Sequence, residues 1–336
     1  MNETGRTRVV FFQRKKDSSW NHSIEFIFSD VRARLKGLID AKTVCSRYYS
    51  KGFFKRVYNC WEAFLHQGDV NHVTGDIHYI GFFLARKRTI HTIHDCVFLK
   101  ESQGIRHRVL KFFWLTMPAR RSRFITTVSE ATRSEILKYS HCDPGKIVVI
   151  PNAISGRFQK KAKTFAAGEP AVLVIGTAPN KNIPRLIEAL KGIRCRIDLI
   201  GRYNAEYEKL IQDAGIAYTF RQGLNDDEMV TAYQQADLLL FASTYEGFGM
   251  PILEAQAIGR VVVTSNVSSM PEVAGDSACL VDPFDVNAIR KGVQKVIEDG
   301  QYRNDLIARG FENIKRYDPE LIARQYLALY QTIKES

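Results

Sequence analysis

The sequence predicts an α/β protein made of two domains, each built around a parallel sheet. With 336 residues, 45% of them hydrophobic, the chain is long enough to form two cores, at about 150 residues per domain. Short apolar runs alternate with segments of helical spacing, at intervals of about 20–25 residues. The alternation occurs in both halves of the chain, so the pattern indicates two Rossmann-like domains assembled from βαβ units.

The second half of the chain shows this pattern most clearly. Helical spacing is evident in IPRLIEALKGI (183–193) and DDEMVTAYQQA (226–236). Six apolar runs predict the strands: AVLVIG (171–176), RIDLIG (196–201), IAYTF (216–220), DLLLFAS (237–243), VVVTS (261–265) and ACLVD (278–282).

The first half predicts five strands and ends at a break. The strands are RVVFF (8–12), DVNHV (69–73), RTIHTIH (88–94), FITTVS (124–129) and KIVVIP (146–151). Pro151-Asn152-Ala153 then interrupts the pattern, and residues 155–170 have the composition of a linker. We therefore expect one domain over residues 1–153 and a second over 154–317.

Residues 318–336 predict an amphipathic helix that packs back on the first domain. Its apolar positions are Leu321, Tyr326, Leu329, Tyr330 and Ile333.

The cysteines and the hydropathy pattern predict a cytoplasmic protein. The six cysteines lie far apart without a CxxC pair, which argues against a zinc site or a disulfide framework and for a reduced cytosol. The first residues do not have the pattern of a secretory signal. No stretch approaches the roughly 18 uncharged apolar residues that a membrane span needs.

Positive charge is concentrated in the first half of the chain. Residues 1–160 contain 28 Lys and Arg against 13 Asp and Glu, whereas residues 161–336 contain 20 against 23. A basic half is compatible with nucleic acid, an anionic membrane surface, a phosphorylated substrate or a merely solvated surface. Nucleic acid is the least favoured, because nothing in the sequence resembles an RNA-binding fold.

The stretch IRHRVLKFFWLTMPARRSR (105–123) mixes basic and bulky apolar residues. Such a helix suits an anionic membrane surface. It equally suits an ordinary domain helix whose Val109, Phe112 and Phe113 face the core, and we favour this second interpretation.

The segment 243–275, STYEGFGMPILEAQAIGRVVVTSNVSSMPEVAG, carries the strongest functional signal. Gly247 and Gly249 allow the backbone to approach a ligand, and Pro251 suits the first turn of a helix. The N–H groups at a helix N-terminus favour an anion. Glu246 and Glu254 flank the loop, and a carboxylate accepts hydrogen bonds from a pair of sugar hydroxyls. A phosphate-binding backbone between two acids predicts a site for a nucleotide sugar.

Glu246 and Glu254 form the E-x₇-E pattern, and the surrounding YEGFGMPILEA resembles the retaining glycosyltransferases of family 4, which have the GT-B fold. Further stretches match in the same order. They are DVNHVTGD, TIHD, FITTVSEATRSEI and KIVVIPNAI in the first half, and GTAPNKN (176–182), GLNDDEMVTAYQQADLLLFAS (223–243) and SSMPEVAGDSACLVDP (268–283) in the second. The resemblance is strong over residues 69–283. It implies two Rossmann-like domains that face a central cleft.

The resemblance also implies roles for the two acids and their loop. Glu254 would hold the ribose hydroxyls of the donor, and Glu246 would lie beside the donor sugar. The backbone at Phe248, Gly249 and Met250 would contact the sugar and the phosphates.

Further roles fall on the phosphate loop and on the N-terminal domain. Gly176 and Lys181 belong to the donor-phosphate loop, where Lys181 would neutralise the diphosphate leaving group. His94 would reach the donor sugar from the N-terminal domain, with Asp95 orienting the strand end. No D-x-D motif is present, so we expect no metal and no other cofactor.

The sequence departs from the family pattern at two places. Many members have an arginine directly after the glycine of the phosphate loop, where this chain has Thr177. Arg185 lies four residues beyond Lys181, a spacing that puts both on one helical face, and is the candidate substitute. The glycine-rich loop that often follows the first strand is replaced by FFQRKKDSSWNHSIE (11–25). Three further histidines, His72, His78 and His91, lack metal-ligand spacing and are interpreted as structural.

The sequence therefore predicts a retaining α-glycosyltransferase. It would move a hexose from a nucleoside diphosphate sugar to a glycan or lipid-linked acceptor in bacterial surface polysaccharide assembly. An anionic membrane surface at the inner face of the cell membrane is a candidate partner. The alternative is a non-catalytic subunit that binds the sugar nucleotide, and acceptor-dependent release of nucleoside diphosphate separates the two.

Overall fold

A computed structural model describes residues 5–15, 23–100 and 102–335. The chain divides into two compact units, Met1–Ala153 with Pro319–Ser336, and Ile154–Asp318. We call them the N-terminal and the C-terminal domain. Residues 16–22, inside the segment that replaces the glycine-rich loop, lie outside the described residues.

The N-terminal domain has a six-stranded parallel sheet in the order β2-β1-β3-β4-β5-β6. Its strands are β1 (Thr7–Gln13), β2 (Ile39–Cys45), β3 (Val70–Val73), β4 (Thr89–Ile93), β5 (Phe124–Thr127) and β6 (Ile147–Val149). Its helices are α1 (Ser23–Arg34), α2 (Phe53–Leu65), α3 (Val97–Lys100), α4 (Gly104–Leu110), α5 (Met117–Arg121), α6 (Glu130–Ser140) and, after the second domain, α14 (Pro319–Glu335).

The C-terminal domain has a second six-stranded parallel sheet, in the order β12-β11-β10-β7-β8-β9. Its strands are β7 (Ala171–Ile175), β8 (Arg196–Ile200), β9 (Ala217–Arg221), β10 (Leu238–Phe241), β11 (Val261–Ser265) and β12 (Cys279–Val281). Its helices are α7 (Ile183–Leu190), α8 (Ala205–Asp213), α9 (Asp226–Gln235), α10 (Met250–Ile258), α11 (Met270–Ala274), α12 (Val286–Glu298) and α13 (Gly300–Asn313). The predicted fold class, two Rossmann-like α/β domains, is confirmed.

Strand β2 is the one strand that the apolar runs do not predict. It pairs in parallel with β1, from Thr7 opposite Ile39 to Gln13 opposite Cys45. Since it lies at the sheet edge, only Ile39 is buried and the strand needs no apolar run. Its backbone hydrogen bonds, rather than its side chains, attach it to the sheet.

Helix α14 completes the core of the N-terminal domain. Tyr326, Tyr330 and Ile333 are buried against Phe11 and its neighbours, and the rings of Phe11 and Tyr330 meet edge to face with centroids 6.0 Å apart. Burial of each large apolar side chain contributes about 1.5–3 kcal/mol. The expectation for Leu321 is wrong: this residue is 45% exposed, because it lies on the outer face of the helix.

The basic stretch is helical in the structure but presents the opposite face from the one expected. Helices α4 and α5 are joined by a π-helical segment, Lys111–Thr116. Val109, Phe112 and Phe113 are exposed, whereas the buried residues of the stretch are Leu115, Met117, Pro118, Ala119 and Ser122. The core-facing interpretation of these three residues is therefore wrong, because Leu115 and the residues after it face the core instead.

Within residues 5–15, 23–100 and 102–335, no helix combines the length and the hydropathy that a membrane crossing requires.

Candidate active site

The candidate site lies at the point of the C-terminal sheet where the strand order reverses. Strands β7 and β10 are neighbours there, although β8 and β9 come between them in sequence. In open α/β sheets, ligands bind at the carboxyl ends of the two strands that flank such a point. The loops that leave β7 and β10 carry Lys181 and Glu246, respectively.

Gly176 and Lys181 are packed so tightly that the glycine has no substitute. Gly176 has φ +91°, and a Cβ built on it would lie 2.7 Å from Cε of Lys181. The methylene stem of Lys181 thus occupies the space that any other side chain at 176 would need. Its Nζ lies 4.6 Å from the centroid of the Phe241 ring, at the end of β10.

Lys181 and Glu246 form an ion pair across the two loops. Their Nζ and Oε1 atoms are 2.7 Å apart, with 18% and 15% of the side chains exposed. Asn180 supports the pair, since its Nδ2 donates to Oε1 of Glu246 at 3.2 Å and to the Tyr245 carbonyl at 2.8 Å. Because both charges are largely withdrawn from water, each one stabilises the other.

Two serines hold the glycine loop, residues 246–249, by hydrogen bonds to its backbone carbonyls. Ser268 Oγ donates to the Glu246 carbonyl at 2.7 Å, and Ser269 Oγ donates to the Phe248 carbonyl at 2.6 Å. Gly249 is the N-cap of α10 with φ 116°, a left-handed conformation that favours glycine. The loop therefore presents the N-terminus of α10 in one conformation, with Met250 as its first residue and Pro251 in its first turn.

Glu254 is half-buried on α10 and shares a short hydrogen bond with a tyrosine. The hydroxyl of Tyr233, on α9, donates to Oε2 of Glu254 at 2.5 Å. Burial raises the pKa of Glu254 to about 7, although this hydrogen bond and the charge of Lys181 act in the other direction. The carboxyl is therefore partly protonated at neutral pH.

Arg185 does not share a helical face with Lys181, and that expectation is wrong. Lys181 ends a 3₁₀ turn, Asn182 has a left-handed φ of 63°, and α7 begins only at Ile183. Arg185 Nη1 donates to Asn182 Oδ1 at 2.9 Å, and its guanidinium lies 5.9 Å from the centroid of the Phe284 ring. These contacts place the guanidinium beside Phe284 rather than beside the Lys181–Glu246 pair.

Thr177 connects the loops that follow β7 and β8. Its Oγ1 donates to the Arg202 carbonyl at 2.9 Å. A Cβ at Gly201 would lie 2.8 Å from Cγ2 of Thr177, so the two loops are in close contact. The side chain at this position is directed toward the backbone of the neighbouring loop.

In the N-terminal domain, His94 follows β4 directly. Its Nε2 lies 3.2 Å from the Thr74 carbonyl. Since a carbonyl only accepts, Nε2 carries the proton, and Nδ1 is the basic nitrogen of the neutral ring. Burial lowers the pKa of His94, which favours that neutral form. Asp95 Oδ1 accepts from the Val97 N–H at 3.0 Å and so begins α3.

His72 lies inside the core of the N-terminal domain. Its Nδ1 is 2.8 Å from the Tyr330 hydroxyl and its Nε2 is 2.7 Å from Oγ1 of Thr92. Burial lowers the pKa of His72 to about 3. Burial also lowers the pKa of His78, to about 4, and that of His91. All three histidines are buried, as their structural interpretation requires.

Four residues that contact the two acids were not singled out from the sequence. They are Asn180, Tyr233, Ser268 and Ser269, and all lie inside stretches that resemble the family. The pattern indicated Asn180 only through its neighbour Lys181. Tyr233 reaches Glu254 from a helix 21 residues away, and no local spacing predicts that contact.

The described residues contain no group of three or more His, Cys, Asp or Glu that could hold a metal ion. That the chemistry needs neither a metal nor another cofactor stays a prediction.

The fold and the site together define a class of protein. Its members have two Rossmann-like domains, one of which carries an acid–lysine pair and a helix N-terminus at its switch point. Two family models cover most of the chain, Glycosyltransferase Family 4 over residues 27–155 and Glycosyl transferases group 1 over residues 156–313. The chain belongs to glycosyltransferase family 4.

Two curated relatives are O-antigen mannosyltransferases. The O-antigen chain mannosyltransferase B of Escherichia coli is 31% identical, over 63% of this chain and 61% of its own length. The O-antigen chain mannosyltransferase RfbU of Salmonella typhimurium is 31% identical, over 70% of this chain and 67% of its own length. The chain thus spans less than two thirds of the Escherichia coli protein.

A solved structure agrees over the full length of the fold. Anabaena Alr3699/HepE, crystallised in complex with UDP and glucose, superposes with a TM-score of 0.77 over 97% of this chain and 100% of that chain. The two sequences are 16% identical, so this similarity supports the GT-B fold alone.

Proposed function

We propose that the protein is a retaining α-glycosyltransferase that transfers a hexose from a nucleoside diphosphate sugar to a glycan or lipid-linked acceptor. One observation carries the proposal. The Lys181–Glu246 pair, with Nζ and Oε1 2.7 Å apart, lies at the switch point of the C-terminal sheet, and Glu246 belongs to the loop that leads into α10. A cation, an acid and a helix N-terminus together are what a diphosphate sugar requires.

The diphosphate would bind between Lys181 and the N-terminus of α10. Without a donor, Glu246 neutralises Lys181, and a diphosphate that arrives provides the lysine with a second anionic partner. The negative charge on the leaving group increases as the glycosidic bond breaks. Lys181 and the helix dipole therefore stabilise the transition state more than the ground state.

The two acids, Glu254 and Glu246, would bind the ribose and the sugar of the donor, respectively. Glu254 accepts hydrogen bonds from the ribose hydroxyls through Oε1, since Oε2 already accepts from Tyr233. Glu246 faces the sugar, where its carboxylate stabilises the positive charge that develops at the anomeric carbon. The backbone from Phe248 to Met250 contacts the sugar and the phosphates, and Ser268 and Ser269 hold that backbone in place.

Transfer would retain the anomeric configuration. No residue of the site is a clear nucleophile for the opposite face of the sugar, so the acceptor attacks from the side on which the diphosphate departs. His94 contributes a neutral imidazole to the donor sugar, and Gly176 and Thr177 contribute to the phosphate side. The roles of His94 and Gly176 follow from the family pattern, whereas Arg185 is left out because it contacts Phe284.

The acceptor would belong to bacterial surface polysaccharide assembly. Both relatives are O-antigen chain mannosyltransferases, which supports mannose as the transferred hexose. The basic N-terminal domain suits an acceptor that carries phosphate, such as a lipid-linked diphosphate. The protein would then act in the cytoplasm, at the inner face of the cell membrane.

A thermal-shift screen of UDP-, GDP-, ADP- and CDP-linked hexoses, with and without chelator, tests the donor. We expect one donor to raise the melting temperature, and chelator to leave that shift unchanged. The selected donor is then incubated with candidate acceptors, and the release of nucleoside diphosphate is measured. Donor binding without acceptor-dependent release would instead indicate a non-catalytic subunit.

A further inference from the structure

Helix α2 has its amphipathic faces reversed. Toward the domain it presents Asn59, Cys60 and Ala63, which are small or polar. Toward solvent it presents large apolar side chains, among them Phe54 at 85% and Trp61 at 54% exposure. A helix of a self-sufficient domain buries its apolar face, so this arrangement points to an apolar partner outside the domain.

Two further segments extend the exposed face of α2. Asn59 Nδ2 donates to the Tyr79 hydroxyl at 3.0 Å, which fastens α2 to the turn 78–82. The Tyr79 ring lies 5.5 Å from that of Trp114, in the π-helical segment between α4 and α5. Arg121 Nη2 donates to the Phe82 carbonyl at 3.0 Å, which joins α5 to the same turn. The three segments therefore form one connected layer.

Each segment carries a pair of exposed phenylalanines in edge-to-face contact. Their ring centroids are 5.6 Å apart for Phe53 and Phe54, 5.3 Å for Phe82 and Phe83, and 5.0 Å for Phe112 and Phe113. Three such pairs on one layer exceed the scattered apolar exposure that is normal for a domain surface. We call residues 51–65, 78–88 and 104–123 together the apolar–basic surface.

The charge of this surface has one sign. The three ranges contain twelve Lys and Arg and a single acidic residue, Glu62. Beside it lies a cavity of about 540 Å³, lined in part by Arg86, Lys111, Arg120 and Lys146. None of these four cations has a salt bridge to a described residue. The cavity is also lined by one aspartate, Asp143, whose Oδ1 accepts a hydrogen bond from the Gly145 N–H. The cations are thus available to phosphate groups.

We propose that the apolar–basic surface docks on an anionic lipid bilayer. The phenylalanine pairs and Trp61 insert at the level of the head groups, and the cations contact the lipid phosphates. An apolar layer bordered by cations fits an interface that is itself apolar within and anionic at its surface. A protein partner would not need twelve cations against one acid, and a nucleic acid would not need exposed aliphatic residues such as Ile105 and Val109.

This proposal extends the proposed function to a membrane partner, and the test keeps the two apart. The full chain is sedimented with vesicles of phosphatidylcholine alone and with 30% phosphatidylglycerol, at 0.05 and 0.5 M NaCl. We expect binding to the anionic vesicles, weakened by salt because exposed charges are screened. We expect the double variant Phe53→Ser/Phe54→Ser to reduce the partition coefficient at least tenfold, and Arg106→Glu/Arg108→Glu to reduce it similarly.

Matched controls come from the same domain. Leu38 is 56% exposed and belongs to none of the three ranges of this surface, so Leu38→Ser should bind vesicles like the unmodified chain. Lys36→Glu/Lys42→Glu makes the same change of charge at two exposed lysines outside the three ranges. Thermal shift with the selected donor should be unchanged in every variant, since no substituted residue lies in the donor site, and this readout reports the proposed function separately.

Three results would overturn the proposal. One is equal binding to neutral and anionic vesicles, and another is an equal loss of binding in Leu38→Ser. The third is a concentration-dependent dimer that the phenylalanine variants abolish while vesicle binding persists, because the surface would then join two copies of the chain.

Discussion

The two domains share a topology and differ in what their surfaces offer. Each has six parallel strands, yet the N-terminal domain contains 28 Lys and Arg against 15 Asp and Glu, and the C-terminal domain contains 20 against 21. Of the twenty exposed large hydrophobic residues among those described, seventeen lie in the N-terminal domain. The C-terminal domain instead places its distinctive residues in the loops at the switch point.

The two proposals assign sugar transfer to the C-terminal domain and membrane docking to the N-terminal domain. The Lys181–Glu246 pair, Asn180 and the two serines form contacts that lie wholly within the C-terminal domain. The N-terminal domain has an apolar and basic exterior that its own core does not use. Under the two proposals, one fold supports a donor site in the C-terminal domain and a docking surface in the N-terminal domain.

The largest effect should come from Glu246→Gln. If the carboxylate stabilises charge that develops at the anomeric carbon, the substitution lowers kcat by about 10²–10³-fold while donor affinity changes little. Steady-state kinetics and calorimetric titration of the donor measure the two quantities. Lys181→Ala is the comparison, and it should weaken both, because the diphosphate is charged before and after departure. Weak donor binding with normal kcat in Glu246→Gln would reverse the assigned role.

Next in size is Glu254→Gln, which should act on donor binding alone. The contact to the ribose is present in the ground state and in the transition state. Its loss therefore weakens binding of both states equally and leaves kcat unchanged. Weakening a charge-assisted hydrogen bond costs about 1.5–3 kcal/mol of donor affinity. Titration with the donor and with a sugar diphosphate that lacks the whole nucleoside, ribose included, separates the ribose contact from the rest. An equal loss for both ligands would show that Glu254 does not hold the ribose.

The sequence predicts features that depend on residues close together in the chain, and it does not predict contacts between residues that are far apart in the chain. Apolar runs predict eleven strands, most of which contribute buried residues to a core, but β2 is held by backbone bonds at an edge and has no such run. The E-x₇-E spacing predicts both acids because loop and helix are adjacent in sequence. It does not predict Tyr233, whose contact with Glu254 depends on how α9 packs against α10.

Two of the three wrong expectations have the same origin. Helical spacing places Val109, Phe112 and Phe113 on one stripe but does not say which side of the helix meets the core. Arg185 was related to Lys181 by helical geometry, and the left-handed Asn182 interrupts that geometry. Both depend on tertiary structure that local periodicity does not contain.

Donor affinity should also depend on pH through Glu254, with a smaller effect. The pKa of this carboxyl is about 7, and hydroxyl donors from the ribose favour its ionised form. Below pH 7, binding therefore requires loss of a proton, and affinity rises with pH by at most about tenfold per unit before reaching a plateau. Calorimetry from pH 5.5 to 8.5 with the intact nucleotide sugar measures this. Glu254→Gln should give a flat profile, and a slope that survives in this variant would assign the dependence to another group.

The smallest change in nucleotide affinity is expected when the C-terminal domain is produced without the N-terminal domain. Residues 154–318 contain the whole Lys181–Glu246–Glu254 constellation and a core of their own. We therefore expect this fragment to bind nucleoside diphosphate with a dissociation constant within about threefold of that of the full chain, since the contacts that dominate affinity are retained. Chelator should not alter the value, because Lys181 and the helix N-terminus supply the positive potential. The fragment should show no vesicle binding, whereas the full chain should show both activities. Loss of nucleotide binding in a folded fragment, judged by circular dichroism, would mean that the N-terminal domain contributes to the nucleotide site, and the separation of the two roles would fail.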